Sequence, residues 1–133
     1  MKTILLALLL SGCVSNPYKD MSIYERAWQA SHFIDVAQTY EISQDPCYFE
    51  NGFLTRDVIG RNPTTTKVAV WGVGLSYGHA QFTKWLDNTD WSPWIKNTIK
   101  TVDLGIKVDA MTNNYSIGIR IGSSNKHKRG CNP

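Results

Sequence analysis

Beyond its first ten residues the chain has no uninterrupted apolar stretch near the ~18 residues of a membrane-spanning helix, which excludes a polytopic membrane protein. It also lacks an excess of charge of one sign. Of 14 Lys and Arg, Lys2 lies in the leading segment and Lys126, Lys128 and Arg129 near the far end, leaving 10 basic residues against 11 acidic ones in the body between. So neutral a body offers no basic face to phosphates, and nucleic acid is excluded as a partner. The Gly-rich run from Gly72 to Gly78 has no Lys-Ser/Thr behind it, so it is not a phosphate loop. No serine stands in a nucleophile-elbow context. There is no internal repeat, no low-complexity tract, no cofactor motif, and no spacing of His, Cys or carboxylates that marks a metal site.

The start of the chain carries an address. Residues 1–12, MKTILLALLLSG, place one Lys before the apolar run Ile4 to Leu10 and end in two small residues, the layout of a secretory signal too short to span a bilayer. Leu10-Ser11-Gly12-Cys13 resembles the lipobox of bacterial lipoproteins. The resemblance implies that Cys13 takes a diacylglyceryl group, becomes the mature N-terminus, and is then acylated there. Several acyl chains anchor firmly, since each buried methylene contributes about 0.8 kcal/mol. Val14, a non-acidic residue after that cysteine, points to the outer membrane. With Cys13 occupied, Cys47 and Cys131 are left as a pair, and an oxidising compartment makes a disulfide the default. Such a bond closes a loop of about 85 residues and stabilises the fold by roughly 4 kcal/mol on the chain-entropy view.

The mature chain divides into a lipidated tether over residues 13–21, a single helical domain over 22–122 and a basic tail over 123–133, tied back by the disulfide. Ser22 and Glu25 form a candidate capping box. Ile23, Ala27, Ala30, Ile34 and Ala37 then recur at helical spacing to Tyr40, with Phe33 widening the stripe. The opposite face gathers Trp28, Ser31, His32, Asp35, Gln38 and Thr39. A long polar connection follows, with a short helical turn near Thr55 to Ile59. Asn62-Pro63 reads as the cap and first position of a second long helix carrying Val68, Trp71, Leu75, Phe82 and Leu86 on one stripe. Gly74 and Gly78 form a small-x-x-x-small pair open to another helix. A strand reading of residues 72–77 competes there, and helix is the stronger reading. Trp91-Ser92-Pro93 starts a third helix, with Ile95, Ile99, Val102 and Ile106 in register, expected to run to about residue 110. A turn at Asn113-Asn114 and an alternating segment from Tyr115 to Ile121 complete the pattern. The expected fold is therefore mainly α, a small bundle of about three long helices with a short C-terminal extended segment. Its alternative is α+β with a C-terminal β-hairpin.

The chemistry worth weighing is His32-x-x-Asp35 on the first helix and His79 on the second. His79 falls on the apolar face, and Asp35 or His32 is its expected partner if the helices run antiparallel. Such a cluster serves either as a general acid/base pair or as a hydrogen-bond network that fixes helix pairing, the latter being the stronger expectation. Cys47 and Cys131 are better explained as a disulfide than as nucleophiles. Trp28 and Trp71 fall at core spacing. Trp85, Trp91 and Trp94 gather at a helix-helix turn, where they serve either as packing or as an exposed patch for a membrane interface or a partner.

Trp28-x-x-x-His32-x-x-Asp35-x-x-Gln38-Thr39, Glu50-Asn51, Gly60, Pro63, His79 and Asn113-Asn114-Tyr115-x-x-Gly118 together resemble a group of small uncharacterised proteins of proteobacteria and their phages. A more distant resemblance, through the signal, the lipobox and His32-Phe33, is to the YfiM-like lipoproteins. Neither implies a known activity. The sequence thus points to a lipid-anchored envelope protein facing the periplasm, attached to the membrane through its N-terminal lipid, with a structural or interaction role and an envelope protein as partner. The alternatives are a small envelope enzyme using His32, Asp35 and His79, and a phage-encoded surface lipoprotein that alters the host envelope or excludes superinfection.

Overall fold

The computed structural model describes residue 16 and residues 18–122 apart from 46 and 51. The signal, Cys13 and the tail with Cys131 lie outside the described residues. Four helices are described: α1 (Ile23–Gln44), α2 (Phe53–Ile59), α3 (Thr65–Asp87) and α4 (Pro93–Ser116). No strand occurs among the described residues. The chain is thus mainly α, and the three long helices pack as a bundle with α1 against both α3 and α4.

Local chemistry explains each start. Ser22 caps α1 by accepting from the backbone N–H of Glu25 at 3.2 Å. Thr64 caps α3 through the N–H of Lys67, so α3 begins at Thr65 and not at Pro63 as Asn62-Pro63 suggests. Ser92 caps α4 with Pro93 in its first turn, as the Trp-Ser-Pro sequence predicts. Two orders of contact set the directions. Glu25 meets Thr83, Gln29 meets Ser76 and His32 meets Gly72, so α1 and α3 are antiparallel. Asp35 meets Lys107 and Gln38 meets Met111, so α4 runs parallel to α1.

Three expectations need correction. The third helix continues six residues past 110, to Ser116, taking in Asn113, Asn114 and Tyr115. Its end is a Schellman motif: Gly118 N–H bonds to Tyr115 O and Ile119 N–H to Asn114 O, at 3.1 Å each. Gly118 sits at φ +94°, a left-handed conformation that glycine adopts without steric cost, and Ile119 behind it is fully buried. The alternating segment is therefore partly the last helical turn, and residues 117–122 form turns, not a strand or hairpin. The close approach between helices falls at Gly72, where an added Cβ would lie 2.9 Å from Val36 Cγ1. Gly74 and Gly78 face open space.

The third correction concerns which side of α1 is inside. The residues it buries are Glu25, Trp28, His32, Asp35, Gln38, Thr39 and Ile42. Apart from Gln38 they follow one another at alternating steps of three and four, the seam spacing of helices that pack side by side. The apolar stripe points outward: Ile23 is 74% exposed and Phe33 75%. Among the described residues the core holds as many polar side chains as apolar ones, so its polar groups must satisfy one another.

Candidate functional site

The buried polar seam of α1 meets α3 and α4 in a linked set of charges around Trp28. Glu25 stands at its near end, 2% exposed. One carboxylate oxygen accepts from Gln29 Nε2 at 2.6 Å, the other from Thr83 Oγ1 at 2.7 Å. His79 from α3 lies between two carboxylates. Its Nε2 is 2.5 Å from Asp103 Oδ2 on α4, and its Nδ1 is 2.8 Å from Glu25 Oε2. The Glu25 contact lies off the N–H direction, so it works by charge more than by a directed hydrogen bond. The imidazole stacks flat on the Trp28 indole, with ring centroids 3.5 Å apart and planes 5° from parallel.

These neighbours move the titrations. Burial alone pulls the His79 pKa down, but the Asp103 and Glu25 carboxylates outweigh it and raise the value above the ordinary 6.5. Burial likewise pushes Glu25 up, while bonds from His79, Gln29 and Thr83 bring it below the usual carboxylate value. The two shifts run in the direction that favours a charged pair between His79 and Glu25.

His32, one turn beyond Trp28 on α1, is separate from that pair. Its ring also stacks on Trp28, at 4.8 Å, and its Nε2–H donates to the backbone carbonyl of Gly72 at 2.9 Å. Burial, the largest influence, lowers its pKa, the bond to Gly72 works against that, and the charge of Lys107 adds to the lowering. Its Nδ1 is buried without a partner. Asp35 accepts from Lys107 Nζ at 2.5 Å and from Asn114 Nδ2 at 3.2 Å, both on α4.

The structure therefore gathers His32, Asp35 and His79 around one indole but gives each a different partner. The expected His79 contact with Asp35 or His32 is not made; Glu25 and Asp103 take that place. Glu25, read from sequence as half of a capping box, takes part in the α1 cap only by donating its N–H to Ser22 Oγ and sends its carboxylate inward. In sequence, Asp103 and Lys107 are polar residues four apart beside the apolar stripe of the third helix, and Asn114 belongs to the expected turn. The heptad spacing of the polar residues on α1 is the signal that marks Glu25 as a seam residue. Ser76 lies within Gly74-Leu75-Ser76-Tyr77-Gly78, the residue spacing of a nucleophile elbow, so whether a serine has that context is decided by the backbone around it. It sits mid-helix with its hydroxyl donating to Gln29 Oε1 at 2.7 Å, without the strand-to-helix turn an elbow requires.

Above this network α3 and α4 diverge and leave a cleft of about 490 Å³. Trp71 and Leu75 wall it from α3, Ile106 and Ala110 from α4, and Val58 from α2; the Asp35–Lys107 and His79–Asp103 pairs lie at its floor. Its size and apolar lining are those of a ligand cleft. Among the described residues no group of three or more His, Cys, Asp and Glu is arranged to hold a metal ion. No described helix is long and apolar enough to cross a membrane. Cys47, in the connection from α1 to α2, is disulfide-bonded, while its expected partner Cys131 and the expected lipid site Cys13 lie outside the described residues. Comparisons with protein-family models, with curated proteins and with solved structures give no match.

Proposed function

We propose that this is a lipid-anchored envelope protein, attached through Cys13 and facing the periplasm, whose helical domain has an interaction role. The cleft between α3 and α4 receives an apolar polypeptide segment of an envelope partner. The ion-paired network beneath it is the scaffold that holds the three helices in register. The observation that carries this reading is the engagement of two of the three candidate acid–base groups: His79 is held by two carboxylates, and Asp35 by Lys107 and Asn114, while the third, His32, keeps an unpartnered Nδ1 that is buried from solvent. A general base needs a lone pair aimed at substrate, and His79 and Asp35 are turned to neighbouring side chains instead. What favours an apolar occupant is the cleft wall, where Ile106 stands 62% exposed opposite Trp71 and Leu75.

A photo-crosslinking residue placed at Ile106 in the full chain, in cells, tests the reading. The expected result is one discrete adduct that maps to an apolar segment of an envelope protein. It should be absent with the probe at Val70, on the exposed side of α3, and should disappear when Leu75→Glu is added. Adduct formation equal at both positions, or none at Ile106, overturns it. A His32→Gln, His79→Gln chain that stays folded and keeps the Ile106 adduct yet loses its cellular function would instead assign the network to catalysis.

A further inference from the structure

The antiparallel and parallel pairings above put three chain features at one end of the bundle: the N-terminus of α1, the turn from α3 to α4, and the first turn of α4. That end carries three indoles. Trp85 is 54% exposed, Trp91 47% and Trp94 76%. Phe82, Trp85 and Trp91 form a chain of ring contacts at 5.8 and 5.9 Å, the second edge-on. Exposed tryptophan is costly in water and well suited to the boundary between lipid headgroups and acyl chains, where its ring is half apolar and its N–H stays wet.

The route of the chain points the same way. Tyr18 is fastened to α3, its hydroxyl 3.0 Å from Ser76 Oγ, and Ser22 caps α1 four residues later. Only five residues separate Tyr18 from Cys13, a reach of at most about 18 Å. Lys19 to Ser22 run beside Lys84, Asp87 and Asn88 at the end of α3, while the Tyr18 hydroxyl reaches Ser76 midway along it, so a lipid on Cys13 lies within reach of the tryptophan-bearing end. We infer that the tryptophan-bearing end of the bundle is a membrane-docking surface, whose occupant is the headgroup layer of the bilayer that holds Cys13. The inference rests on the anchor proposed above. Charge at this end is mixed in sign, with Lys19 and Lys84 set beside Asp20 and Asp87. Lys96 Nζ is taken up by the carbonyls of Asp87 and Thr89, closing the end of α3, and Lys100 is paired with Asp87. Docking is therefore carried by indole burial and resists salt.

The test uses the purified lipidated chain in phosphatidylethanolamine and phosphatidylglycerol vesicles carrying brominated acyl chains, with tryptophan emission as readout. Trp28 is buried in the network and supplies an unquenched background. Bromines near the headgroups should quench emission by about twofold, bromines deep in the bilayer less, with no change between about 50 and about 500 mM NaCl. The Trp91→Ser, Trp94→Ser chain should lose most of the quenching with an unchanged far-UV spectrum, since neither side chain is buried. Palmitate incorporation that disappears in Cys13→Ser checks the anchor separately. Incorporation without shallow quenching overturns the docking surface and leaves the anchor standing. Shallow quenching of added protein that carries no palmitate overturns the anchor and leaves the docking surface standing. A dimer in sedimentation that depends on Trp91 and Trp94 assigns the patch to a second copy and overturns the inference.

Discussion

Replacing His79 by Gln removes the one cation between Glu25 and Asp103, and the structure sets the size of the loss. Glu25 is 2% exposed and cannot recover water, while Asp103, its side chain 38% exposed, can. Breaking a buried ion pair costs about 3–5 kcal/mol because a charge is left uncompensated. Glu25 keeps its donors from Gln29 and Thr83, which places its share at the lower end, about 3 kcal/mol. Asp103, screened by solvent, adds at most about 1 kcal/mol. Loss of the parallel stack on Trp28 adds about 1 kcal/mol. The expected total is about 4 kcal/mol. With a urea slope of about 1–3 kcal/mol per molar, the unfolding midpoint should fall by roughly 2 M, followed by circular dichroism near pH 6. Adding Glu25→Gln should restore part of the loss, because the orphaned charge goes with it. If His79→Gln lowers stability by less than about 1 kcal/mol and Glu25→Gln does not interact with it, the network does not hold the bundle together and the scaffold reading fails.

Further outcomes follow from the same geometry. The His79 pKa is raised, so its contribution is fully present below pH 6.5 and is lost as pH rises through the raised folded value; His79→Gln should flatten this alkaline limb in urea titrations run across pH. The His32 pKa is lowered, so its contribution is present above pH 6.5 and is lost as pH falls toward the lowered folded value; persistence of that acid limb in His32→Gln would remove His32 from the account. Gly72→Ala should destabilise by about 1 kcal/mol net, overpacking against Val36 outweighing better helix propensity, while Gly74→Ala, facing open space, should stabilise by about 1 kcal/mol. Equal thermal shifts in those two variants would refute the close approach. Ser92→Ala should cost about 1 kcal/mol through the α4 cap, read in the same melts.

The elements were legible where the signal is local. Ser22 and Ser92 announce α1 and α4 because a cap needs only a hydroxyl and the next turn's N–H. The end of α4 was legible too, in Gly118 followed by an apolar residue, although Asn113-Asn114 is the more conspicuous turn signal and draws attention away from it. The inward face of α1 was harder to read. Hydrophobic periodicity assigns the inside to Ile23, Ala30 and Phe33, and that rule fails when a core is built from paired charges. His32, Asp35 and His79 were recognisable as polar residues in need of partners. Their partners were not, because Glu25, Asp103, Lys107 and Asn114 each come from a different helix than the residue they meet.

From sequence alone come the helical class, the caps at Ser22 and Ser92, the near-neutral body and the likeness of the first thirteen residues to a lipoprotein signal. Each depends on interactions within a few residues or on composition. The tertiary structure decided which face of α1 is buried, which carboxylates hold His79, and that the three exposed tryptophans share an end with the start of α1. Those facts depend on the direction and rotation of each helix against its neighbours. That arrangement is selected by the summed pairing of buried charges across three helices, which no single stretch of the chain contains.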